Sequence, residues 1–370
     1  MAVPIRAVFS ESRNIRVIMD DAVSINKEKS IVHLNDMDIS FDYLIVATGS
    51  KHSYFGNDQW EKFAPGLKSL EDALKIRERI LISLEEAEKI NDEKEKQKYL
   101  TYVIIGGGPT GVELAGAIAE IIKLSPLKDF RNFDPSETKV YLIEGLPKLL
   151  SSYPDKLSEI AKEDLQSMGV NVILNKKVTN VAEDVVNIGD DFIETKNIIW
   201  AAGNLASPIL KTLNTDLDRA GRVIVNEDLS IKGFPNIFVI GDAAAFKEDN
   251  HYLPGVAQVA MQQGRFAAKI IKKNIQFGER GKFKYKDKGN MATIGRAKAV
   301  AEIKGFKLSG LIAWIVWSFI HIMFLIGFRN RFRVMAEWIW HYITFKRGIK
   351  LIVGHLNTNK KSKNNYQTSI

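Results

Sequence analysis

The chain is 370 residues long, which suits two or three domains, and its hydrophobic content of 45% is enough for a sizeable core. Lysine and arginine number 52 against 44 aspartates and glutamates, and the isoelectric point is near 9.2. A basic balance of this kind favours nucleic acid, anionic lipid or an acidic substrate as partner. Much of the charge follows Arg329, beside an apolar stretch, and no nucleic-acid-binding motif is present. We therefore expect a lipid surface and exclude nucleic acid.

The sequence contains no cysteine. Disulfides, thiolate metal sites, cysteine-ligated iron–sulfur clusters and redox-active cysteine pairs are therefore excluded. The opening residues, MAVPIRAVF, are too short for a secretory signal and resemble the interior of a domain.

Short β-rich runs alternate with turns over the first 50 residues, and the last run covers residues 43–47. Residues 69–99 are rich in Glu, Lys, Leu and Ile at helical spacing, which predicts a solvated amphipathic helix. The elements predicted after it are strands at 102–105, 139–143, 170–174, 197–200 and 236–240, and helices at 112–123, 157–168 and 255–274. Strands alternating with helices, with glycine at the turns, specify an α/β sheet fold.

A glycine-rich loop, GGGPTG, connects the strand at 102–105 to the helix that follows it. Its spacing is Gly106-x-Gly108-x-x-Gly111, and a position between a strand and a helix is where this pattern binds a dinucleotide. Gly106 permits a tight turn, Gly108 lets a pyrophosphate approach the backbone, and Gly111 lets the helix pack close to the strand. The free N–H groups at the start of the helix then face the phosphates.

Glu144 follows the strand at 139–143, where an acidic side chain can accept hydrogen bonds from a ribose diol. It lies further from the glycine loop than the usual ~20 residues, because residues 124–137 are predicted to form an inserted loop. A carboxylate here would repel a 2′-phosphate, which favours NADH over NADPH. The alternative is a glutamate that only occupies a turn.

Three short segments each follow a predicted strand and share small residues: Ala47-Thr48-Gly49, Ala201-Ala202-Gly203 and Gly241-Asp242-Ala243. Any one of them alone could be a simple turn. Together, around a dinucleotide-binding loop, they indicate cofactor contacts. Their small residues allow close approach, and a carboxylate such as that of Asp242 can accept a hydrogen bond from a ribityl hydroxyl.

The segments YLIVATGS, VIIGGGPTGVELAGAIAE, IIWAAG, IFVIGDAAA and LPGVAQVAMQQG together resemble the type II, single-subunit NADH:quinone dehydrogenases. The resemblance runs from Ala2 to about Leu351. It implies the fold of the pyridine nucleotide-disulfide oxidoreductase superfamily, an α/β flavoprotein fold with two dinucleotide-binding, Rossmann-like domains. It also implies FAD and NADH as cofactors, a quinone as acceptor and no proton pumping.

The resemblance assigns the glycine loop to NADH and residues 47–49 and 241–242 to FAD. It makes Ala202 and Gly203 cofactor contacts and places Glu113 near the nicotinamide. Gln258 and Gln262 are expected beside the flavin and the quinone.

Pro254 and Gly255 are expected to start a helix with Ala257 in its first turn. Its N-terminal amides would point at the pyrimidine edge of the flavin, and Ala257 is a cofactor-binding candidate. The helix dipole would stabilise negative charge on the reduced ring.

The family begins with a G-x-G-x-x-G loop of its own, which holds the ADP half of FAD, and no such loop precedes Ala2. We therefore expect the first FAD-binding element to be missing from this chain. The lack of cysteine separates the chain from disulfide reductases and from sulfide:quinone reductases, which depend on cysteines. The chemistry that remains is hydride transfer to flavin and two-electron reduction of a quinone, with no metal ion.

Residues 308–328 (LSGLIAWIVWSFIHIMFLIGF) carry no formal charge and are close to the ~20 residues that span a bilayer. Arg329, Arg331 and Arg333 follow, and then the run EWIWHYITF, a composition typical of the membrane interface. We expect amphipathic helices that anchor the chain on a membrane; a spanning helix and a buried soluble element are the alternatives. The resemblance favours the cytoplasmic face of a bacterial inner membrane and anionic lipid as partner.

These observations divide the chain into five parts: the rest of an FAD-binding domain with a connecting helix (1–98), an NADH-binding domain (99–205), a return to the FAD domain with the flavin and quinone site (206–305), membrane-anchoring helices (306–354) and a disordered tail (355–370). We predict a membrane-associated NADH:quinone oxidoreductase, for which a homodimer is left open. Two alternatives are a soluble NADH-dependent flavoprotein with another acceptor and a non-catalytic NAD-binding remnant.

Overall fold

The computed structural model describes residues 3–123, 130–324 and 328–344. Its helices are Ile5–Val8 (α1), Leu70–Lys89 (α2), Glu93–Tyr99 (α3), Pro109–Lys123 (α4), Asp155–Ser167 (α5), Ala257–Lys272 (α6), Gly310–Phe324 (α7) and Phe328–Thr344 (α8). Its strands are Ala22–Asn26 (β1), Ile31–Leu34 (β2), Asp38–Ser40 (β3), Leu44–Val46 (β4), Ser50–His52 (β5), Thr101–Ile105 (β6), Lys139–Ile143 (β7), Val170–Ile173 (β8), Val178–Ala182 (β9), Val185–Ile188 (β10), Asp191–Glu194 (β11), Asn197–Trp200 (β12), Asn204–Ala206 (β13), Val223–Ile224 (β14), Ser230–Ile231 (β15), Phe234–Val239 (β16), Ala244–Ala245 (β17), Lys247–Glu248 (β18), His251–Tyr252 (β19), Asn290–Gly295 (β20), Lys298–Ile303 (β21) and Phe306–Ser309 (β22). The predicted α/β class is confirmed.

Four parallel strands in the order β12-β6-β7-β8 form the centre of the predicted NADH domain. Every residue of β6 is buried, because successive side chains point to opposite faces and both faces are covered. Tyr102 and Ile104 pack against α2, α4 and α5, whereas Val103 and Ile105 pack against the small sheet β11-β10-β9 and Trp60. The loop from β6 to α4 therefore leaves the sheet at its carboxyl edge, where ligands bind in folds of this class.

The prediction of one helix over residues 69–99 is wrong, because α2 and α3 are separate helices. α2 begins with a reciprocal capping box between Ser69 and Asp72 and ends at Lys89; the next residue, Ile90, has an extended backbone. α3 begins with a new cap, in which the Asp92 side chain accepts a hydrogen bond from the N–H of Glu95. The break contains neither glycine nor proline, and its only local signal is this cap.

The predicted FAD region contains a second sheet in the order β15-β16-β4, with β16 and β4 parallel. These two strands lie far apart in the sequence, so the chain leaves this sheet for the NADH domain and returns to it. Val46 and Val239 are paired and buried in a core of their own. Because the two strands end at the same edge, residues 47–49 and 241–242 come together there.

The C-terminal antiparallel sheet β20-β21-β22 packs on α4 of the predicted NADH domain. The approach is close, since a Cβ on Gly116 would lie 1.6 Å from the carbonyl oxygen of Ile294. Ala292 consequently belongs to the hydrophobic core around β6 and α4. Ala299 of the same sheet packs against Ala313 of α7. The sheet thus connects α4 to the C-terminal helices, and the domain limit at residue 305 stays a prediction.

The apolar stretch at 308–328 is divided between a strand and two helices. Leu308 and Ser309 end β22, α7 begins at Gly310, and α8 begins at Phe328. Of the helices in the described ranges, none combines the length and the apolar character needed to cross a membrane. The predicted tail and residues 124–129 of the predicted inserted loop lie outside the described residues.

Candidate active site

A cleft of about 990 Å³ opens at the carboxyl edge of the sheet β12-β6-β7-β8. It is bounded by the glycine loop, by the ends of β7 and β12, and by the residues that lead into α6. The predicted site residues that line it are Gly106, Gly108, Glu144, Ala202 and Gly203. The fold thus brings into one cavity segments that are about 150 residues apart in the sequence, as parallel sheets do at this edge.

The glycine loop has the geometry that a pyrophosphate site requires. Gly106 has a φ of +114°, and a Cβ on it would lie 2.8 Å from the backbone of Ala201. A Cβ on Gly111 would lie 1.8 Å from the carbonyl oxygen of Gly106, so only glycine permits this turn into α4. Gly108 faces open space, with no atom of the described residues within 4 Å of its Cβ position. A phosphate can therefore reach the N-terminal amides of α4 on that side.

Glu144 is half-buried at the rim of the cleft, directly after β7. Its Oε2 accepts a hydrogen bond from the N–H of Gly107 at 2.5 Å, and its Oε1 accepts one from the N–H of Leu146 at 2.8 Å. The carboxylate therefore bridges the glycine loop and the turn after β7, a contact that no motif indicated. Each oxygen has a second lone pair for a ligand, and the role of Glu144 in NADH binding stays a prediction.

Asp242 and its neighbours form the other half of the site, beside the entry into α6. Gly241 has a φ of +67°, and its N–H donates to Oε1 of Gln263 at 2.6 Å. The hydroxyl of Ser50 donates to Asp242 at 2.8 Å, which links the segments that follow β4 and β16. Gly255 approaches this carboxylate so closely that a Cβ on it would lie 3.1 Å from Asp242.

Seven predicted cofactor residues do not line this cleft; besides Gly111, Gly241 and Asp242 they are Ala47, Thr48, Gly49 and Ala257. Ala47 and Thr48 are exposed after β4, and Gly49 turns the chain into β5 with a φ of +66°. Ala257 is the exposed first residue of α6. The N-cap residue of α6, Val256, provides no side-chain cap. The first N–H groups of this helix are therefore available to a ligand.

The two predicted glutamines hold the segment before β20 against α6. Gln262 donates through Nε2 to the carbonyl of Lys286 and accepts through Oε1 from the N–H of Lys286, both at 3.0 Å. Gln258 donates through Nε2 to the carbonyl of Gly289 at 3.3 Å, but its Oε1 is buried without a partner among the described residues. Because an unpartnered buried oxygen is unfavourable, Gln258 offers an acceptor to a ligand, whereas both ends of the Gln262 amide are engaged.

Glu113 is half-buried near the start of α4. Its Oε1 accepts hydrogen bonds from the backbone N–H and the hydroxyl of Thr293, at 3.3 and 3.4 Å. Burial raises the pKa of Glu113, although these hydrogen bonds act in the opposite direction. Burial raises the pKa of Tyr153, and the negative charge of Glu113 raises it further. A carboxyl group with a raised pKa can hold a proton closer to neutral pH.

One wall of the cleft is aromatic and basic, and the motifs largely failed to mark it. The ring of Trp200 lies 6.2 Å from that of Phe55 and 5.7 Å from that of Trp60, and all three residues line the cleft. His52 and Lys68 line the cleft as well. Burial lowers the pKa of His52, and the positive charge of Lys68 lowers it further. Only Trp200 belongs to a motif (IIWAAG), so the others carried no local signal.

The residues at the α6 end fit a flavin. Gly255 approaches the carboxylate of Asp242 so closely that a side chain at this position would be tight against it, which keeps the backbone of residues 254–256 beside that carboxylate. The uncapped start of α6 and the unpartnered oxygen of Gln258 supply polar groups that a flavin ring can bind. FAD would therefore be held by Asp242, residues 254–256 and Gln258, while the glycine loop fits the phosphates of NADH.

Known protein families and relatives match this chain over most of its length. Residues 3–264 match the pyridine nucleotide-disulphide oxidoreductase family, and residues 288–347 match the NDH2 C-terminal domain. Two Mycobacterium tuberculosis proteins, the type II NADH:quinone oxidoreductases Ndh and NdhA, are each 38% identical to this chain. The alignments cover 94% and 95% of this chain and 78% of each relative. The structure of NDH2 from Plasmodium falciparum in complex with NADH has a TM-score of 0.81 at 21% identity, over 89% of this chain and 84% of that one, and shows the fold.

A dinucleotide-binding loop at the edge of one parallel sheet and small residues at the edge of a second sheet are typical of a flavoprotein reductase, and the chain belongs to the pyridine nucleotide-disulphide oxidoreductase family. Within it, the chain belongs to the type II NADH:quinone oxidoreductases. The resemblance drawn from the motifs is thereby confirmed.

Proposed function

We propose that this chain oxidises NADH at the glycine loop and reduces a quinone at the α6 end of the same cleft. Its family makes it an FAD-dependent oxidoreductase that acts on NADH and a quinone. Bound FAD would be held by Asp242, residues 254–256 and Gln258, and would supply the hydride acceptor for NADH and the two-electron donor for the quinone. The cleft carries the proposal, because it joins Gly108 and Glu144 to residues 254–256 in one cavity.

The pyrophosphate of NADH is assigned to the glycine loop and its adenosine ribose to Glu144. The open side of Gly108 supports the first assignment. The position of Glu144 at the rim, with both oxygens fixed by backbone N–H groups, supports the second. A fixed carboxylate accepts hydrogen bonds from a ribose diol and repels a 2′-phosphate, so NADH is preferred over NADPH.

Glu113 is assigned to the nicotinamide end, where its half-buried carboxyl can position the ring or hold a proton. Gln258 is assigned to the quinone. The bond from its Nε2 to Gly289 is long at 3.3 Å, so the amide can donate to a quinone carbonyl while its Oε1 accepts from the flavin. Gln262 assists indirectly, by fixing Lys286 against α6.

The C-terminal helices support attachment to a membrane surface. One face of α7 is apolar and exposed, and its residues are Leu311, Ile312, Ile315, Phe319 and Met323. Their spacing puts them on one side of the helix, and a continuous exposed apolar face marks an interaction surface. Arg331 and Arg333 on α8 favour an anionic lipid surface. We propose that the chain lies on the cytoplasmic face of a bacterial inner membrane; the Mycobacterium relatives support only the bacterial part of this proposal. A homodimer is tested by the molar mass of the protein in detergent.

Anaerobic stopped flow on the FAD-loaded chain tests these assignments by separating the two half-reactions. Gly108→Val places a side chain where the pyrophosphate approaches, so it should slow flavin reduction by NADH and spare reoxidation by quinone. Gln258→Ala should spare reduction and slow reoxidation about tenfold, as expected for the loss of roughly one hydrogen bond. If Gln258→Ala slows flavin reduction instead, Gln258 serves NADH and the quinone assignment is wrong.

A further inference from the structure

Two adjacent lysines lie at the rim of the cleft beside Glu144. Lys176 and Lys177 follow β8, and both line the cleft together with Glu144. Their loop is tied to the turn after β7, because the N–H of Asn175 donates to the carbonyl of Leu146 at 3.1 Å and the N–H of Lys176 donates to the carbonyl of Glu144 at 3.2 Å. The backbone of both lysines is therefore held in a fixed relation to Glu144.

The surroundings of the two lysines differ. Nζ of Lys176 lies 3.4 Å from Oδ2 of Asp191. Lys177 forms no ion pair with any residue in the described part of the chain. Its Cγ lies 3.3 Å from the position that a Cβ on Gly145 would occupy, so its side chain runs along the turn that carries Glu144. Lys177 therefore brings to the lining of the same cleft as Glu144 a cation that has no ion-pair partner among the described residues.

The carboxylate of Glu144 cannot leave the rim without breaking its hydrogen bonds to Gly107 and Leu146. A ribose with free hydroxyls can donate to it. A 2′-phosphate would bring roughly −1.5 to −2 charges to the same place at neutral pH. The carboxylate would repel that phosphate, whereas the ammonium of Lys177 would attract it. The choice between NADH and NADPH is then a balance between one fixed negative charge and one adjacent positive charge.

We propose that Lys177 is a specificity-determining residue, which forms with the turn at residues 144–146 a subsite for the 2′-phosphate of NADPH that the charge of Glu144 keeps closed. The inference rests on the assignment of the adenosine ribose to Glu144. It goes beyond that assignment, because the cation that a 2′-phosphate needs is already in place. Neutralising Glu144 should therefore be enough to open the subsite. Lys176, paired with Asp191, does not contribute.

Calorimetric titration of the full chain with ADP-ribose and 2′-phospho-ADP-ribose tests this proposal, since these probes bind without redox chemistry. Glu144→Gln should improve the affinity for the 2′-phosphate probe, relative to ADP-ribose, by about tenfold. Adding Lys177→Met should remove most of that gain. Adding Lys176→Met, the matched control on the same loop, should leave the gain in place.

Lys177→Met alone keeps Glu144 and its hydrogen bonds intact, so it tests the cation without risk to the loop. It should weaken the 2′-phosphate probe about threefold or more and change ADP-ribose by less than about twofold. An equal loss for both probes would overturn the proposal. So would a gain in Glu144→Gln that survives Lys177→Met or that Lys176→Met removes, although the ribose assignment would then stand. An unchanged preference in Glu144→Gln would overturn that assignment and the proposal together.

Discussion

Burial and hydrogen bonding shift the pKa of Glu113 in opposite directions, and burial has the larger effect. Burial raises its pKa in the folded chain, even though Thr293 donates hydrogen bonds to it. The charged form is therefore less favourable in the folded state than in the unfolded state. For a carboxyl group with a raised pKa, stability is fully retained below the unfolded value of about 4.3 and falls as the pH rises through the folded value.

Glu113→Gln should therefore stabilise the chain at alkaline pH and leave it unchanged in acid. The substitution removes the charge and keeps an acceptor for Thr293. At pH 8 we expect the melting temperature to rise by about 2 °C, and at pH 4 we expect no change, as measured by scanning calorimetry. Glu163→Gln, at an exposed position of α5, is the control and should show no pH-dependent difference. A lower melting temperature for Glu113→Gln at pH 8 would contradict the raised pKa.

Two glutamines four residues apart show how far residue type alone can mislead. Gln258 and Gln262 lie in one motif and are chemically identical. The amide of Gln262 is engaged at both ends with Lys286, whereas Gln258 keeps a buried oxygen without a partner among the described residues. The difference arises from the segment that packs against α6, about 25 residues further along the chain, and no pattern within the motif could indicate it.

Among the elements, the contact between α4 and β20 depends on the absence of a side chain at Gly116. A Cβ there would lie 1.6 Å from a backbone oxygen of Ile294, which cannot rotate away. Gly116→Ala should therefore lower the free energy of unfolding by about 1–3 kcal/mol, the usual effect of overpacking. Chemical denaturation measures this loss. Gly108→Ala, at a position with open space around it, should leave stability nearly unchanged; equal losses in the two variants would contradict the packing argument.

The exposed apolar face of α7 leads to a second prediction about a single element, namely that this helix binds lipid. Phe319 is 66% exposed on that face, and Phe192 is 62% exposed on β11 of the NADH domain. Phe319→Gln should reduce binding to lipid vesicles, because a buried aromatic side chain contributes about 1.5–3 kcal/mol. Phe192→Gln should have no effect. Vesicle flotation measures both, and equal binding of the Phe319 variant and the unaltered chain would show that this face does not enter lipid.

Point substitutions on α7 are a cleaner test than truncation. Deletion from Leu308 onward should also release the chain from membranes, through lost apolar burial and lost attraction of Lys and Arg to anionic lipid. It would, however, remove Ala313 from its packing against Ala299 and so disturb the sheet on α4. Release after deletion alone would therefore not separate anchoring from stability.

For the molecule as a whole, the net charge of +8 makes binding to an anionic surface dependent on salt. We expect the chain to bind vesicles that contain phosphatidylglycerol more tightly than vesicles of phosphatidylcholine alone. Each Lys or Arg near the surface contributes about 1 kcal/mol, and salt screens this attraction. Raising the salt concentration should therefore weaken binding to the anionic vesicles much more than to the neutral ones. Equal binding to both kinds of vesicle at low salt would contradict this prediction, because only the apolar contribution to binding would then remain.

The sequence by itself determined the α/β class, the dinucleotide-binding loop and the family. These depend on short-range rules: a buried strand alternates between two covered faces, and a tight turn into a helix requires glycine at Gly106 and Gly111. Such patterns lie within about ten residues and can be recognised without knowing what packs against them.

Tertiary structure alone decided which residues meet. The hydrogen bonds of Glu144, the placement of Lys177 beside it and the aromatic wall at Trp200 each join segments that are distant in the sequence. The packing of the C-terminal sheet on α4 is of the same kind. The reason is physical: a contact between distant segments is selected by the fit of whole surfaces, and neither partner carries a local pattern that names the other.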